Sequence, residues 1–280
     1  MRLAHLSDPH FGREDPTVVD ALLADLRELE PEAIALSGDL TQRARRGEFA
    51  AARELIGALP APAVVVAGNH DVPLLELHER FVDPYRRFRH EISEELQPRL
   101  VTEGLVALGL NTPRGGTRKS GRLNRSQMAT LERTLASAPQ DALRVLVTHH
   151  PFVPPPDRPN ASIVGRAPLA IATMKRAGVD LVLSGHRHVG HAHVLPVGPA
   201  SSAASVLVVL AGTACSVRHR GERNSYNVVE GDRHRLAITV REWDGRRFEA
   251  GHTRQYKRSE RLWSEQIGAT AGDPSDDLDR

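Results

Sequence analysis

The sequence is poor in several things. A single cysteine, Cys215, stands in 280 residues, so no disulfide can close within the chain and a reducing compartment suits it. Aromatic residues make up only 4% of the chain, so any local cluster of them stands out. The formal net charge is +2, too small an excess to expect the concentrated basic face of a nucleic-acid binder. The longest apolar run, "SVLVVLAGTAC" at 205–215, is well short of the roughly 20 residues that a membrane span needs. No secretion-type apolar segment precedes the strand-like run that begins at Arg2. The expectation is a cytoplasmic globular protein, 40% hydrophobic and large enough for one well-buried core or two modest ones.

What the chain does have is a regular alternation. Short apolar runs recur at 2–8, 33–39, 63–71, 105–112, 145–151, 181–188 and 205–214, bounded by turn formers, and read as buried strands. Between them lie helical patterns. In 16–29 Val19, Leu22, Leu23, Leu26 and Leu29 form one stripe, with Asp15 as N-cap and Pro16 at the first helical position. A second helix is predicted over 47–59, stopped by Pro60. A third over 125–136 opens on a capping box of Asn124 and Gln127, and a fourth over 168–177 ends on Gly178. Alternating strand and helix predicts α/β layering with helices outside the sheets. After about residue 205 the segments "NSYNVVE", "RLAITVREW" and "RFEAGHT", joined by turn signals, predict antiparallel hairpins completing a second sheet. The single domain is set at 1–257, and the polar, acidic stretch 258–280 is expected to be a disordered tail.

Histidine is abundant, with 14 copies, and its placement is informative. Five of the predicted strands end, on their C-terminal side, in potential metal ligands: Asp8 and His10; Asp39; Asn69, His70 and Asp71; His149 and His150; His186 and His188. In α/β folds the loops at the carboxyl ends of the strands converge on one cleft, so residues distant in sequence can meet there. Each piece alone has a bland reading, because Asp-x-His and Gly-Asp are ordinary turn chemistry. Five of them, each directly after an apolar strand, have no structural explanation as a set.

This ordered set, "SDPH", "SGD", "GNHD", "THH" and "SGHRH", resembles the calcineurin-like metallophosphoesterases over residues 1 to about 190. The resemblance implies a four-layer αββα sandwich, two mixed β-sheets flanked by helices. It also implies two metal ions, one held by Asp8, His10, Asp39 and His188, the other by Asp39, Asn69, His149 and His186. A carboxylate such as Asp39 can offer one oxygen to each ion. Imidazole and oxygen donors without thiolate suit manganese, iron, cobalt or zinc. By the same resemblance a metal-bridging hydroxide attacks a phosphoester in line, and His70 stabilises the transition state or protonates the leaving oxygen. Asp71 is expected to accept a hydrogen bond from His70 and favour its protonated form. Within the superfamily the pattern is most similar to bacterial 3′,5′-cyclic nucleotide phosphodiesterases, which makes a cyclic nucleotide the first substrate to consider. A lipid-linked nucleotide pyrophosphohydrolase of outer-membrane lipid synthesis is the alternative, and a catalytically silent scaffold of the same fold is the non-enzyme reading.

Other residues have two open readings. His150 contacts substrate or packs; His5 reads as a satisfied core histidine; Asn111 supports the site or merely turns the chain; His191 and His193 are expected to be exposed. Cys215 reads as a small buried hydrophobe. The basic, glycine-rich stretch 113–125 embraces a phosphate or is a solvated loop. In 73–96, Tyr85, Phe88 and Ile92 share a helical face with Phe81 one turn earlier, amid several arginines. That segment is either a lid over a nucleobase or lipid tail, with peripheral membrane contact, or a helix packing on the domain.

Overall fold

Asp15 and Pro16 start the first helix as their chemistry dictates. In the computed structural model, which describes residues 1–117, 119–154, 161–197, 204–218 and 221–266, α1 spans Pro16–Leu29 and the Asp15 carboxylate accepts from the Thr17 N–H at 2.9 Å. The capping box of α5 (Arg125–Ala136) forms in both directions, Gln127 N–H to Asn124 Oδ1 at 2.8 Å and Asn124 N–H to Gln127 Oε1 at 3.0 Å. α2 (Arg46–Gly57) ends before Pro60, and α6 (Ala167–Ala177) stops on Gly178 in the left-handed region. The segment after the third strand folds into two short helices, α3 (Leu77–Val82) and α4 (Arg86–Glu91).

Among the described residues the strands assemble into two mixed sheets. The first contains β1 (Arg2–Leu6), β2 (Ala33–Leu36), β3 (Ala63–Val65), β10 (Ser225–Gly231), β11 (Arg235–Trp243), β12 (Phe248–Ser259) and β13 (Leu262–Gln266), in the order β13-β12-β11-β10-β1-β2-β3. The second contains β4 (Arg99–Thr102), β5 (Leu105–Gly109), β6 (Leu143–Val147), β7 (Leu181–His188), β8 (His191–Pro196) and β9 (Ser205–Gly212), in the order β4-β5-β6-β7-β9-β8. The inner strands β1-β2-β3 and β5-β6-β7-β9 run parallel, which brings their carboxyl ends together.

Burial follows the four layers. Val18, Leu22 and Leu26 of α1 and Phe49 and Leu55 of α2 pack with Leu6, Ile34 and Leu36 on one outer face. Leu131 of α5 and Met174 of α6 pack with Leu108, Leu146 and Val182 on the other. Leu3, Ala35 and Val64 face Val145, Leu183 and Val209 between the sheets. Because every inner strand is covered on both sides, its sequence is apolar without alternation. The protein is an αββα sandwich.

Three details depart from the sequence reading. The C-terminal hairpins do not complete a second sheet; β10 pairs antiparallel with β1 and so extends the sheet that the N-terminus begins. The stretch from Arg258 carries structure through Gln266: β13 pairs with β12, and Trp263 is buried with its backbone N–H on Ser205 Oγ at 2.7 Å. The sheet therefore runs past residue 257, and residues 267–280 lie outside the described residues. His191 and His193, expected to be exposed, are partly buried in β8, and burial followed by the charge of His191 pushes His193 down to about 4. Among the described residues, no helix is long and apolar enough to cross a membrane.

Candidate metal centre

The five polar strand ends meet at one edge of the sandwich. Asp8 and His10 follow β1, Asp39 follows β2, Asn69 and His70 follow β3 in a single 3₁₀ turn, His149 and His150 follow β6, and His186 and His188 close β7. Backbone hydrogen bonds tie these ends to one another: Asp8 N–H to Gly38 O at 3.0 Å, His10 N–H to Asp39 O at 3.0 Å, and Gly185 N–H to His149 O at 3.1 Å. The backbone is strained here. Of nine non-glycine residues with positive φ among the described residues, five are Asp8 (52°), His10 (48°), Asp39 (51°), His186 (72°) and His188 (59°). Such conformations cost energy and concentrate where a side chain must be aimed.

The donors form two groups. In the first, His188 Nε2 lies 3.3 Å from both His10 Nε2 and Asp8 Oδ1, and His10 Nε2 lies 3.6 Å from Asp8 Oδ1 and 3.7 Å from Asp39 Oδ2. In the second, His149 Nε2 lies 3.3 Å from Asp39 Oδ1, 3.3 Å from Asn69 Oδ1 and 3.2 Å from His186 Nδ1. Asp39 thus turns one oxygen to each group.

Three observations test whether cations fit. Nitrogen and oxygen donors held about 2.0–2.2 Å from one ion stand roughly 3–3.5 Å apart, close to the spacing found here. Asp8 Oδ1 is buried with no hydrogen-bond partner among the described residues, while its Oδ2 accepts from Ser7 Oγ at 2.6 Å and the His186 N–H at 2.9 Å. Three of the imidazoles donate their rear Nδ1–H to backbone carbonyls: His149 to Ser37 (2.8 Å), His188 to Arg218 (3.2 Å) and His10 to Thr41 (3.3 Å). In the neutral ring, the form that binds a cation, this leaves the Nε2 lone pair facing the cluster, the arrangement a metal-ligating histidine requires. The residues fit two cations.

Electrostatics is set by burial and by neighbours. Burial alone would raise the Asp8 and Asp39 carboxyls, but the imidazoles of His188, His10 and His149 around Asp8, and of His149, His70 and His10 around Asp39, hold both well below the carboxylate range. For His149 the opposing burial is outweighed by Asp39 and Asp8, which push it up to about 9. Burial, then the charge of His149, pushes His186 down to about 3.

Asp71 does not contact the His70 ring as expected. Its carboxylate points into the protein and accepts from the backbone N–H groups of Leu40 (3.1 Å), Thr41 (2.8 Å) and Gly68 (2.8 Å) and from Thr41 Oγ1 (2.8 Å). It clamps the loops after β2 and β3, and burial and then the charge of Asp39 push it up to about 6. The His70 ring is oriented by other groups. Its Nδ1–H donates to Gln42 O at 2.7 Å, and Nε2 accepts from the Arg218 guanidinium at 3.3 Å. Arg218 also reaches Gln42 Oε1 at 3.2 Å. Neither Gln42 nor Arg218 is visible in the sequence reading, because neither belongs to a strand-end motif.

The remaining candidates divide. His150 Nδ1 bonds Thr112 Oγ1 at 2.7 Å, its ring centroid lies 4.7 Å from that of His186, and its buried Nε2 has no partner among the described residues, so it stands beside the second donor group. His5 is a satisfied core histidine on Ser37 Oγ at 3.0 Å. Asn111 Oδ1 accepts the Ala67 N–H at 2.7 Å and so fastens the chain just ahead of Gly68. Cys215 is buried. In 73–96, Tyr85 and Phe88 pack into the core, whereas Leu74, Leu75, Leu77, Phe81 and Val82 are exposed. Arg80 bonds the carbonyls of Pro73 and Thr117, and Arg87 pairs with Glu79. In 113–125, Tyr85 Oη donates to Pro113 O at 2.6 Å and Arg114 reaches Gln127; Arg118 lies outside the described residues.

Comparison with known proteins agrees with this geometry. A glycerophosphodiester phosphodiesterase of Enterobacter lignolyticus is 39% identical over 83 residues, 25% of this chain and 30% of that protein. A probable cyclic nucleotide phosphodiesterase of Synechococcus sp. is 28% identical over 181 residues, 60% of this chain and 62% of that protein. The matches thus span less than two thirds of either relative. A dimetal phosphatase from Danio rerio superposes with a TM-score of 0.61 at 11% identity, covering 86% of this chain and 96% of that one, a likeness of fold. The profile of the calcineurin-like phosphoesterases matches residues 1–190, and with the αββα sandwich and the paired donor groups at its edge, the chain belongs to that family.

Proposed function

We propose that the protein is a binuclear metal-dependent phosphohydrolase acting on phosphodiesters, with a cyclic nucleotide as the first candidate substrate. The observation that carries this reading is Asp39, whose Oδ2 faces His10 and whose Oδ1 faces His149, so that one carboxylate joins two donor groups. Asp8, His10, Asp39 and His188 would hold one cation, and Asp39, Asn69, His149 and His186 the other. Bound there, the ions would supply Lewis-acid charge and lower the pKa of water to near neutrality.

The chain's own residues do the rest. With Nδ1–H committed to Gln42 O, His70 presents the Nε2 lone pair, and burial keeps the ring below its usual range, so it enters as a neutral acceptor. A phosphoester seated against Nε2 meets the guanidinium of Arg218 as well, which can pass its N–H donors from His70 to the phosphoryl oxygens. Anionic charge at Nε2 favours uptake of a proton from solvent at that atom, and the same proton passes from Nε2 to the leaving oxygen, which returns the ring to its neutral form. Asp71 acts by position, holding the Gly68–His70 turn against the loop after β2.

His70→Ala should cut turnover of bis-p-nitrophenyl phosphate while leaving metal content near two per chain; unchanged turnover removes His70 from the mechanism. A panel with manganese present, comparing cyclic AMP, 2′,3′-cyclic nucleotides, a nucleotide-linked lipid and a monoester, identifies the substrate. The exposed side chains of Leu74, Leu75, Leu77, Phe81 and Val82, which follow directly on the His70 turn, favour the nucleotide-linked lipid as the second reading.

A further inference from the structure

A charged cavity lies at the edge of the sandwich opposite the paired donor groups. It encloses about 400 Å³ where the turn between α5 and β6, the C-terminus of α6, the β10–β11 turn and the β12–β13 turn meet. This is the end where β6 and β7 begin, whereas the paired donor groups follow their C-terminal ends. Five arginines line it: Arg144, Arg176, Arg233, Arg258 and Arg261. The lining carboxylates, Asp141 and Glu260, are both exposed, where solvent screens them. Arg176 is committed to Glu132 at 2.9 Å.

Beneath the arginines sits one fully buried carboxylate, Asp180. It pairs with Arg258 and, at 3.2 Å, with Arg233, and it accepts the Arg144 backbone N–H at 3.0 Å. Asp180 thus takes two guanidinium groups, those of Arg233 and Arg258, while the Arg144 guanidinium lines the same cavity with no ion pair among the described residues. The Nε–H groups of Arg144, Arg233 and Arg258 are buried and have no hydrogen-bond acceptor among the described residues; the Arg233 contact to Asp180 is an ion pair outside hydrogen-bond geometry. Burial pushes Arg258 below its ordinary range, and Arg233, Arg261 and Arg144 push it the same way against the pull of Asp180. Arg144 is lowered by burial and then by Arg233. A structural ion pair needs one cation for one anion. Two guanidinium groups share one carboxylate, and Arg144 and Arg261 line the same cavity with no ion pair among the described residues, which leaves positive charge for a ligand.

We propose that this cavity binds a phosphate-type oxyanion, at a site separate from the metal centre. Guanidinium forks match the geometry of phosphate oxygens and pair with them through charge-assisted hydrogen bonds. The shared ligand chemistry is a phosphate group with at least two negative charges, either free or as part of a polyphosphate. The site joins turns from both sheets, so occupancy stabilises the folded chain by mass action.

The test uses a double variant, Arg144→Gln with Arg261→Gln. Neither side chain pairs with Asp180, which keeps Arg233 and Arg258. Inorganic phosphate, pyrophosphate and a nucleoside triphosphate are titrated into wild type and variant at constant free metal and ionic strength, with chloride as control. The metal centre is common to both proteins, so their difference reports the cavity. Wild type should bind at least one of the phosphates roughly ten-fold or more tightly than the variant, with turnover of bis-p-nitrophenyl phosphate within two-fold of wild type. Hydrogen exchange on wild type alone covers a variant that folds poorly: the ligand should protect amides in 138–144 and 258–262. Equal protection by phosphate and pyrophosphate identifies a single phosphate group, and stronger protection by the longer anions identifies a polyphosphate. Equal binding by wild type and a folded variant, or no protection of those segments, overturns the proposal.

Discussion

Replacing Gly68 with alanine changes no charge and removes no donor, yet it should disable the centre. A Cβ on Gly68 would stand 2.1 Å from Asp39 Oδ1, 2.2 Å from Asp39 N and 2.8 Å from Asp39 Cα. The first contact must open by about 0.9 Å merely to reach 3.0 Å, and two of the three atoms are backbone that cannot swing aside. Gly68 itself is extended, with φ −102° and ψ −177°, which alanine adopts freely, so the penalty is steric contact and not backbone strain. The displaced oxygen is the one that faces His149 at 3.3 Å and accepts the His70 N–H at 2.8 Å. A misplacement of about 1 Å in such a group costs on the order of 10²-fold in rate, and overpacking of this kind costs about 1–3 kcal/mol of stability. Gly47→Ala is the control. It lies in the first turn of α2, where an added Cβ would meet no heavy atom within 4 Å, and should leave metal content, turnover and stability close to those of wild type. Metal per chain by mass spectrometry, turnover of bis-p-nitrophenyl phosphate and urea unfolding read all three effects. A Gly68→Ala protein with two ions per chain and turnover within threefold of wild type would refute the reasoning.

Asp39→Ala should lower metal occupancy and activity together, because one carboxylate serves both donor groups; retention of two ions per chain contradicts the bridging role. Arg218→Gln should lower kcat/KM for the diester by roughly 10–10²-fold, the loss of one charge-assisted hydrogen bond, with metal content unchanged and partial recovery in Arg218→Lys. An unaltered kcat/KM excludes Arg218 from substrate binding. Stability should also fall in acid through His5, which burial pushes down to about 3 from 6.5. The folded state resists a proton that the unfolded chain accepts, so this contribution is full above pH 6.5 and is lost as pH falls toward 3. Between pH 7.5 and 5 the loss is about 2 kcal/mol from His5. Urea unfolding of wild type against His5→Gln at the two pH values measures it, and identical pH dependence in both proteins rules it out.

The parts of the fold legible in the sequence are those with local causes. Pro16, the Asn124 capping box and Gly178 mark helix ends through chemistry that lies within a few residues. The doubly covered strands declare themselves as unbroken apolar runs. Pairing across sheets has no such local mark: nothing within "NSYNVVE" says that β10 will lie against β1, more than 200 residues earlier in the chain. Trp263 was hidden by its polar surroundings, since one buried aromatic is enough to anchor a short edge strand. In the site, strand-end residues were readable because the parallel inner strands carry them to one edge. The residues that aim them were not. Asp71 looked like a partner of His70 because the two are adjacent, but the 3₁₀ turn sends their side chains in different directions, and the ring is held by Gln42 and Arg218 from other loops.

The left-handed backbone at Asp8, His10, Asp39, His186 and His188 links these levels. Each such residue costs about 1–3 kcal/mol against an ordinary loop conformation, so a chain under no constraint there would relax. The strain is supported by what surrounds it. The strands that carry these residues, β1, β2 and β7, are largely buried, Asp71 takes four hydrogen bonds that lock the loops after β2 and β3 together, and Thr213 Oγ1 donates to Asp8 O at 2.6 Å. The stability of the sandwich is therefore spent in part on aiming side chains before any ligand arrives. That also explains the glycines: Gly38 at φ 90° and Gly68 bring two backbones so close that a Cβ on Gly38 would stand 2.7 Å from Gly68 N, and only with both can the Asp39 and Asn69 loops approach one another. The motif "GNHD" is thus a unit of geometry as much as of chemistry, in which the glycine makes room for the carboxylate that joins the two donor groups.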